Sequence, residues 1–179
     1  MFTTVFVAGY GNSINGHWQE KWHQERLGSY WVEQGDWAFP NRDDWVESLN
    51  AQIQSINGPI VLITHSLGGS TLVEWSKHHK ANIIGAFIVA VPDVQSSYFP
   101  DEITGYQNLP LEKLPFPSLV LSSSNDPYSS LERARFFAQH WGSQFMNAGN
   151  LGHINTASNL GDWPEGKKIF NEFIESLEA

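Results

Sequence analysis

The 179-residue chain contains no cysteine. That excludes disulfides, thiol nucleophiles and thiolate metal sites, and it fits a reducing, cytoplasmic setting. Basic residues are scarce: ten Lys and Arg stand against nineteen Asp and Glu, a net charge of −9. Nucleic acid and anionic membrane both select for clustered Lys and Arg, so neither is expected as a partner. No apolar run is long enough to span a bilayer. The first eight residues, Met1 to Ala8, lack the basic flank of a signal peptide and read as a strand. No repeat, linker or low-complexity tract breaks the chain, and its length suits one domain over residues 1–179.

What the chain does have is apolar residues at 41% against 16% charged, the balance of a globular protein. Short apolar runs alternate with helical periodicities, the mark of an α/β fold with a mostly parallel sheet. Strands are predicted at Thr3–Ala8, Ser29–Val32, Ile60–Thr64, Ile83–Val91, Ser118–Ser122 and Ser143–Met146. Trp18, Trp22 and Leu27 fall at roughly helical spacing. Trp45, Leu49, Ile53 and Ile56 mark an amphipathic helix within Asn41–Ile56, ended by Gly58-Pro59. A further helix runs from Leu67 to about Lys80. Between Pro92 and Pro117 repeated prolines predict a loop region with room for one short helix. Ser129 and Glu132 read as a capping box opening a helix that carries Phe137 and Trp141. Pro164 opens the last helix, with Phe170, Phe173, Ile174 and Leu177 on its apolar face. Eight tryptophans and eleven phenylalanines are core by default, with one or two of Trp18, Trp22, Trp31 and Trp37 placed to wall a pocket.

The chemistry concentrates in Thr64-His65-Ser66-Leu67-Gly68-Gly69. It lies between a buried strand and a helix, the setting in which G-x-S-x-G forms a nucleophile elbow. A serine hydroxyl is a weak nucleophile until a base and preorganised N–H donors act on it. Thr64 stands where the motif has glycine; it is branched but compact and suits a strand end. The matching order is serine, then an acid, then histidine, each after a strand. Asp126 follows Ser118–Ser122, and His153 follows Ser143–Met146. Ser66, Asp126 and His153 are therefore the predicted triad, with His153 the proton carrier and Asp126 its orienting carboxylate. The predicted oxyanion donors are the backbone N–H of Leu67, at the helix start, and one from Gly9-Tyr10-Gly11-Asn12, where position favours Tyr10.

A resemblance covers nearly the whole chain. Gly9-Tyr10-Gly11-Asn12-Ser13 with His17-Trp18, Val32-Glu33-Gln34 with Trp37, and Thr64-His65-Ser66-Leu67-Gly68 carry its first half. Val91-Pro92-Asp93, Pro115-Phe116-Pro117-Ser118, Asn125-Asp126-Pro127-Tyr128, Gly152-His153-Ile154-Asn155 and Gly161-Asp162-Trp163-Pro164 carry its second. In these the chain resembles the small serine hydrolases of the retinoblastoma-binding protein 9 and YdeN family. The resemblance implies a three-layer α/β-hydrolase fold of about six mostly parallel strands, helices on both faces and no cap domain. It also implies a Ser66/Asp126/His153 triad acting on esters.

Other candidates carry less. Gly9-x-Gly11 lacks the third glycine of a dinucleotide loop, since position 14 is isoleucine. Asp93 also follows a strand and is the rival acid, ranked below Asp126. His17 and His23 have no companion ligands. His78-His79 suits a solvated helix end. His65 neighbours Ser66 at a strand end, where side chains alternate, so no chemistry is assigned to it. The expected activity is a carboxylesterase on small, soluble esters, with no cofactor and no metal. Amidase, thioesterase or acyltransferase chemistry would use the same acyl-enzyme, and a non-catalytic binding protein could use the same scaffold. A protein partner is neither indicated nor excluded.

Overall fold

A computed structural model describes residues 1–178. Six strands form one sheet: β1 (Thr3–Val7), β2 (Tyr30–Trp31), β3 (Ile60–His65), β4 (Ile83–Val89), β5 (Ser118–Ser122) and β6 (Gln144–Asn147). Their order is β2-β1-β3-β4-β5-β6 and every pairing is parallel. Alternate residues of each strand face opposite cores, which is why the central runs are apolar throughout. Val5, Val7, Leu62, Ile88 and Val120 face one core, closed by α2 (Arg42–Gln54), α3 (Leu67–His78) and α4 (Leu131–Trp141). Phe6, Ile63, Phe87, Val89 and Leu121 face the other, closed by α1 (Trp18–Glu25) and α5 (Pro164–Glu178). This is the α/β-hydrolase architecture. From β1 the chain crosses first to β2 on one side and then to β3 on the other. Such a switch opens a crevice at the C-terminal ends of the strands.

Helix ends follow local chemistry. Asn41 caps α2 by accepting from the N–H groups of Asp43 and Asp44. The predicted capping box is one residue out of place. The cap of α4 is Ser130, whose Oγ accepts from Arg133 N–H at 3.1 Å. Ser129 is buried and its hydroxyl has no partner among the described residues. Leu27 is not on the apolar face of α1. That helix ends at Glu25, and Leu27, next to the turn at Gly28 (φ 73°), is 98% exposed.

The segment between Pro92 and Pro117 contains no helix among the described residues. It is nevertheless packed, with Tyr106, Leu109, Leu114 and Phe116 buried. Thr71 Oγ1 donates to the carbonyl of Leu67 at 2.9 Å, which spends its proton. The Tyr106 hydroxyl, 2.7 Å away, therefore donates to Thr71 Oγ1 and ties this segment to the first turn of α3. None of the described helices is long and apolar enough to cross a membrane.

The segment after β6 hangs on indoles. Trp18 Nε1 donates to the carbonyl of Ile154 and Trp22 Nε1 to that of Asp162, both at 2.8 Å. Trp18 meets Trp22 and Trp163 edge-on, with centroids 4.7 and 5.0 Å apart. Trp18 and Trp22 thus bury large rings and still satisfy their one donor each. Gly166 lies against this cluster: a Cβ there would overlap the Trp163 ring and fall 2.6 Å from its Cε2. Overpacking at such a site costs about 1–3 kcal/mol. Gly166→Ala is expected to lower the unfolding free energy measured in urea by that amount, and an unchanged value would mean that the Trp163 ring is free to shift.

Candidate active site

Ser66 sits between β3 and α3 with φ 52° and ψ −124°, a positive φ on a non-glycine residue. Such a conformation costs on the order of 1–3 kcal/mol and persists only where the surroundings enforce it. Here the N–H of Ser66 donates to Val89 O and its carbonyl accepts from Gly69 N–H, both at 2.9 Å. The turn also brings α3 hard against the end of β1. A Cβ on Gly68 would collide with the carbonyl oxygen of Val7 and lie 2.7 Å from that of Ala8. One on Gly9 would lie 2.9 Å from Ser66 Cβ. Thr64 fits at the start of the elbow because Gly69 makes room. A Cβ on Gly69 would sit 3.3 Å from Thr64 Oγ1 and 3.0 Å from Ile88 Cγ2.

Three loops deliver the sequence-predicted residues to one place. His153 Nε2 is 2.8 Å from Ser66 Oγ. His153 Nδ1 is 2.9 Å from both carboxylate oxygens of Asp126. The His153 side chain is 9% exposed and that of Asp126 is 1% exposed. Asp126 accepts only hydrogen bonds when ionised, so the Nδ1–H tautomer donates to it and Nε2 is left to accept from Ser66. Oδ1 of Asp126 also accepts from Tyr128 N–H at 2.9 Å, and the Tyr128 ring packs edge-on against His153. Asp93 lies elsewhere: it pairs with Arg133 through two hydrogen bonds of 2.9 and 3.0 Å.

The loop after β1 faces the same point. Its N–H groups at Gly9, Ser13, Gly11 and Asn12 are bonded to Ser13 Oγ, Asn12 Oδ1, Trp37 O and Gly9 O. That leaves Tyr10 as the loop N–H with no partner among the described residues. Leu67 N–H, at the first position of α3, likewise has no residue one turn before it to bond. A cavity of about 380 Å³ opens over these groups, walled in part by Tyr10, Leu67, Phe99, Ile103, Tyr128 and His153. No tryptophan lines it, contrary to the expectation for Trp18, Trp22, Trp31 and Trp37: the first two are buried beneath the loops, and the other two lie half-buried away from it.

His65 is placed differently from the sequence expectation. Its Nε2 donates to the carbonyl of His153 at 2.9 Å, and it lines the cavity. Strand alternation failed as a guide because Ser66 leaves the strand at positive φ and the loop after β6 folds over the strand end. His17 was also missed. Its Nδ1 caps α1 by accepting from Gln19 N–H at 3.1 Å, and its ring lies 4.6 Å from that of His65. Both rings are buried. Burial, with the nearby His153, pushes His17 down to about 3, and burial with both neighbours holds His65 well below its ordinary value. His23, paired with His17 in the sequence reading, is engaged elsewhere, with Ser29 Oγ at 2.7 Å.

A strand–serine–helix elbow on a six-stranded parallel sheet, with histidine and aspartate brought in from later loops, defines an α/β-hydrolase. The chain belongs to the Serine hydrolase family, which matches residues 4–172. Among solved structures, a protein from Pectobacterium atrosepticum described as YdeN-like is 30% identical, with a TM-score of 0.87; the match covers 99% of this chain and 92% of that one. The ydeN product of B. subtilis is 14% identical, with a TM-score of 0.78 and 98% and 100% of the two chains covered. A thermophilic esterase from Thermogutta terrifontis is 16% identical, with a TM-score of 0.69 and 100% and 91% covered. The last two likenesses speak to fold alone. No curated protein matches the chain by sequence.

The buried histidines make stability depend on pH with a definite sign. His17 folds with a value near 3 against an ordinary 6.5, so between these the unfolded chain binds a proton that the folded chain does not. The stabilisation is complete above about 6.5 and lost as pH falls, by up to about 1.4 kcal/mol per pH unit. His17→Asn keeps an acceptor for the cap and removes the titrating ring. Its urea stability, relative to the parent, is expected to improve steadily as pH is lowered from about 7 to about 5. Parallel curves for the two proteins would contradict this account.

Proposed function

We propose that the chain is a carboxylesterase that cleaves small acyl esters through an acyl-enzyme on Ser66. The observation that carries this is the unbroken line from Ser66 Oγ to His153 Nε2 at 2.8 Å and from His153 Nδ1 to Asp126 at 2.9 Å, beneath an open cavity. A non-catalytic scaffold has no need of that alignment. Ser66 Oγ attacks the ester carbonyl carbon and its proton passes to His153 Nε2. The carbonyl electron pair moves to oxygen, where the N–H groups of Leu67 and Tyr10 meet the new charge. Asp126 stabilises the imidazolium. Collapse of the tetrahedral species breaks the bond to the alkoxide, which takes the proton from Nε2. Water then repeats the sequence: it gives a proton to Nε2, attacks the acyl carbon, and releases the acid and Ser66.

The cavity size favours short acyl groups over long lipids. The cysteine-free composition fits action in the cytoplasm. A fluorophosphonate probe is expected to label the parent protein on Ser66, and Ser66→Ala is expected to lose both labelling and, by at least about a thousandfold, ester turnover. Equal labelling of Ser66→Ala would defeat the assignment. A panel of matched acyl esters, thioesters and amides separates the ester reading from its relatives, with esters expected to give the highest kcat/KM.

His65 joins the nucleophile turn to the base loop, so it acts here as a positioning residue. A buried hydrogen bond of this kind contributes about 1 kcal/mol, or about fivefold in rate if it is lost at the transition state. His65→Leu is expected to lower kcat by that factor with KM little changed. His65→Gln retains an N–H donor at a similar reach and is expected to recover most of the rate. Equal losses in the two variants would assign His65 to packing alone.

A further inference from the structure

The catalytic cavity shares part of its wall with a second space. Beyond Asn155 and Thr156 lies a second cleft of about 350 Å³, and these two residues wall both spaces. The loop after β1 also serves both: Asn12, Ser13 and His17 line the first, and Asn15 and Gly16 the second. Asn159 and Lys21 complete the groups that matter in the second cleft. Lys21 is already paired with Asp162 at 3.1 Å, so the cleft offers no free cation for an anion. Its remaining polar side chains are carboxamides and one hydroxyl. Asn15, Thr156 and Asn159 are exposed, free to exchange water for a ligand. A carboxamide holds donors and an acceptor side by side, the complement of neighbouring hydroxyls that each donate and accept. An apolar chain laid here would strand those groups.

Position decides which half of an ester would occupy the cleft. The leaving oxygen must take its proton from His153 Nε2. Asn155 and Thr156 follow His153 by two and three residues on the same loop, so the cleft opens on the leaving-group side. The cavity wall from the segment after β4 is apolar (Phe99, Pro100 and Ile103) and suits the acyl group. We propose that the second cleft binds the leaving alcohol of the substrate, and that this alcohol is a neutral polyol such as a sugar. The proposal rests on the esterase reading and names its substrate class.

Asn15 and Asn159 have φ of 60° and 50°, and asparagine is at home at positive φ, so conformation by itself could place it there. Glycine separates the two roles, because it keeps the backbone and deletes the amide. The experiment compares the parent, Asn15→Gly/Asn159→Gly and, independently, Thr156→Val. Each is assayed on an acetylated hexose, n-hexyl acetate and p-nitrophenyl acetate, which share one acyl group. The parent is expected to prefer the hexose ester over hexyl acetate by about tenfold in kcat/KM. The double variant is expected to raise KM for the hexose ester about fivefold or more while kcat on p-nitrophenyl acetate stays unchanged, and Thr156→Val to shift KM the same way. A parent that favours hexyl acetate, or variants that leave the hexose KM unmoved, overturns this proposal alone. A parent inactive on all three esters overturns the esterase reading and the cleft assignment together.

Discussion

The close approach of α3 to the end of β1 is the constraint on which the site depends. The backbone at Gly68 is pressed against the carbonyls of Val7 and Ala8, where no side chain fits. That contact, together with the bond from Ser66 N–H to Val89 O, holds Ser66 at φ 52° and turns its hydroxyl out of the strand. It also sets the first N–H of α3 beside the loop after β1, so the candidate nucleophile and both candidate oxyanion donors come from one packing event. Steric exclusion between backbones does the work, and it needs no reorganisation when charge develops.

The candidate base is held by a different principle. His153 sits on a loop, and loops are mobile unless tied down. Here the ties come from below and from the side. Trp18 takes the carbonyl of Ile154, Trp22 takes that of Asp162, and His65 takes that of His153 itself. All three ties end on backbone carbonyls, which fixes the course of the chain and leaves the imidazole edge to Ser66 and Asp126. Part of the abundance of tryptophan is thereby explained: near this loop Trp18 and Trp22 serve as anchors beneath the site, and the cavity wall is left in part to Tyr10, Phe99 and Tyr128.

Much of this was legible in the sequence. Five apolar runs with turn residues after them, plus a sixth weak one at Ser143–Met146, suffice for the strands, because buried parallel strands need apolar residues on both faces. Ser66, Asp126 and His153 stand after the strands where α/β-hydrolase order places them, and the structure brings them within hydrogen-bond reach. What was not legible depends on tertiary contact. The partner of His65 lies 88 residues away, and strand alternation carries no information about a loop that folds over the strand end. The cap at Ser130 in place of Ser129 turns on a single residue of phase, which two adjacent serines do not fix. The salt bridge that engages Asp93 needs Arg133 from another element. A strand-end aspartate looks the same in sequence whether it faces a histidine or an arginine.

The pairing of Thr64 with Gly69 reaches beyond this chain. Glycine ahead of the nucleophile is ordinarily read as a requirement of that position. Here a branched residue occupies it, and the missing volume reappears five residues later, on the facing turn of the helix. The requirement is thus for a shared gap between strand and helix, which either side is able to supply. Relatives whose elbows trade the two residues would keep the same turn while escaping any pattern that fixes the glycine to one column.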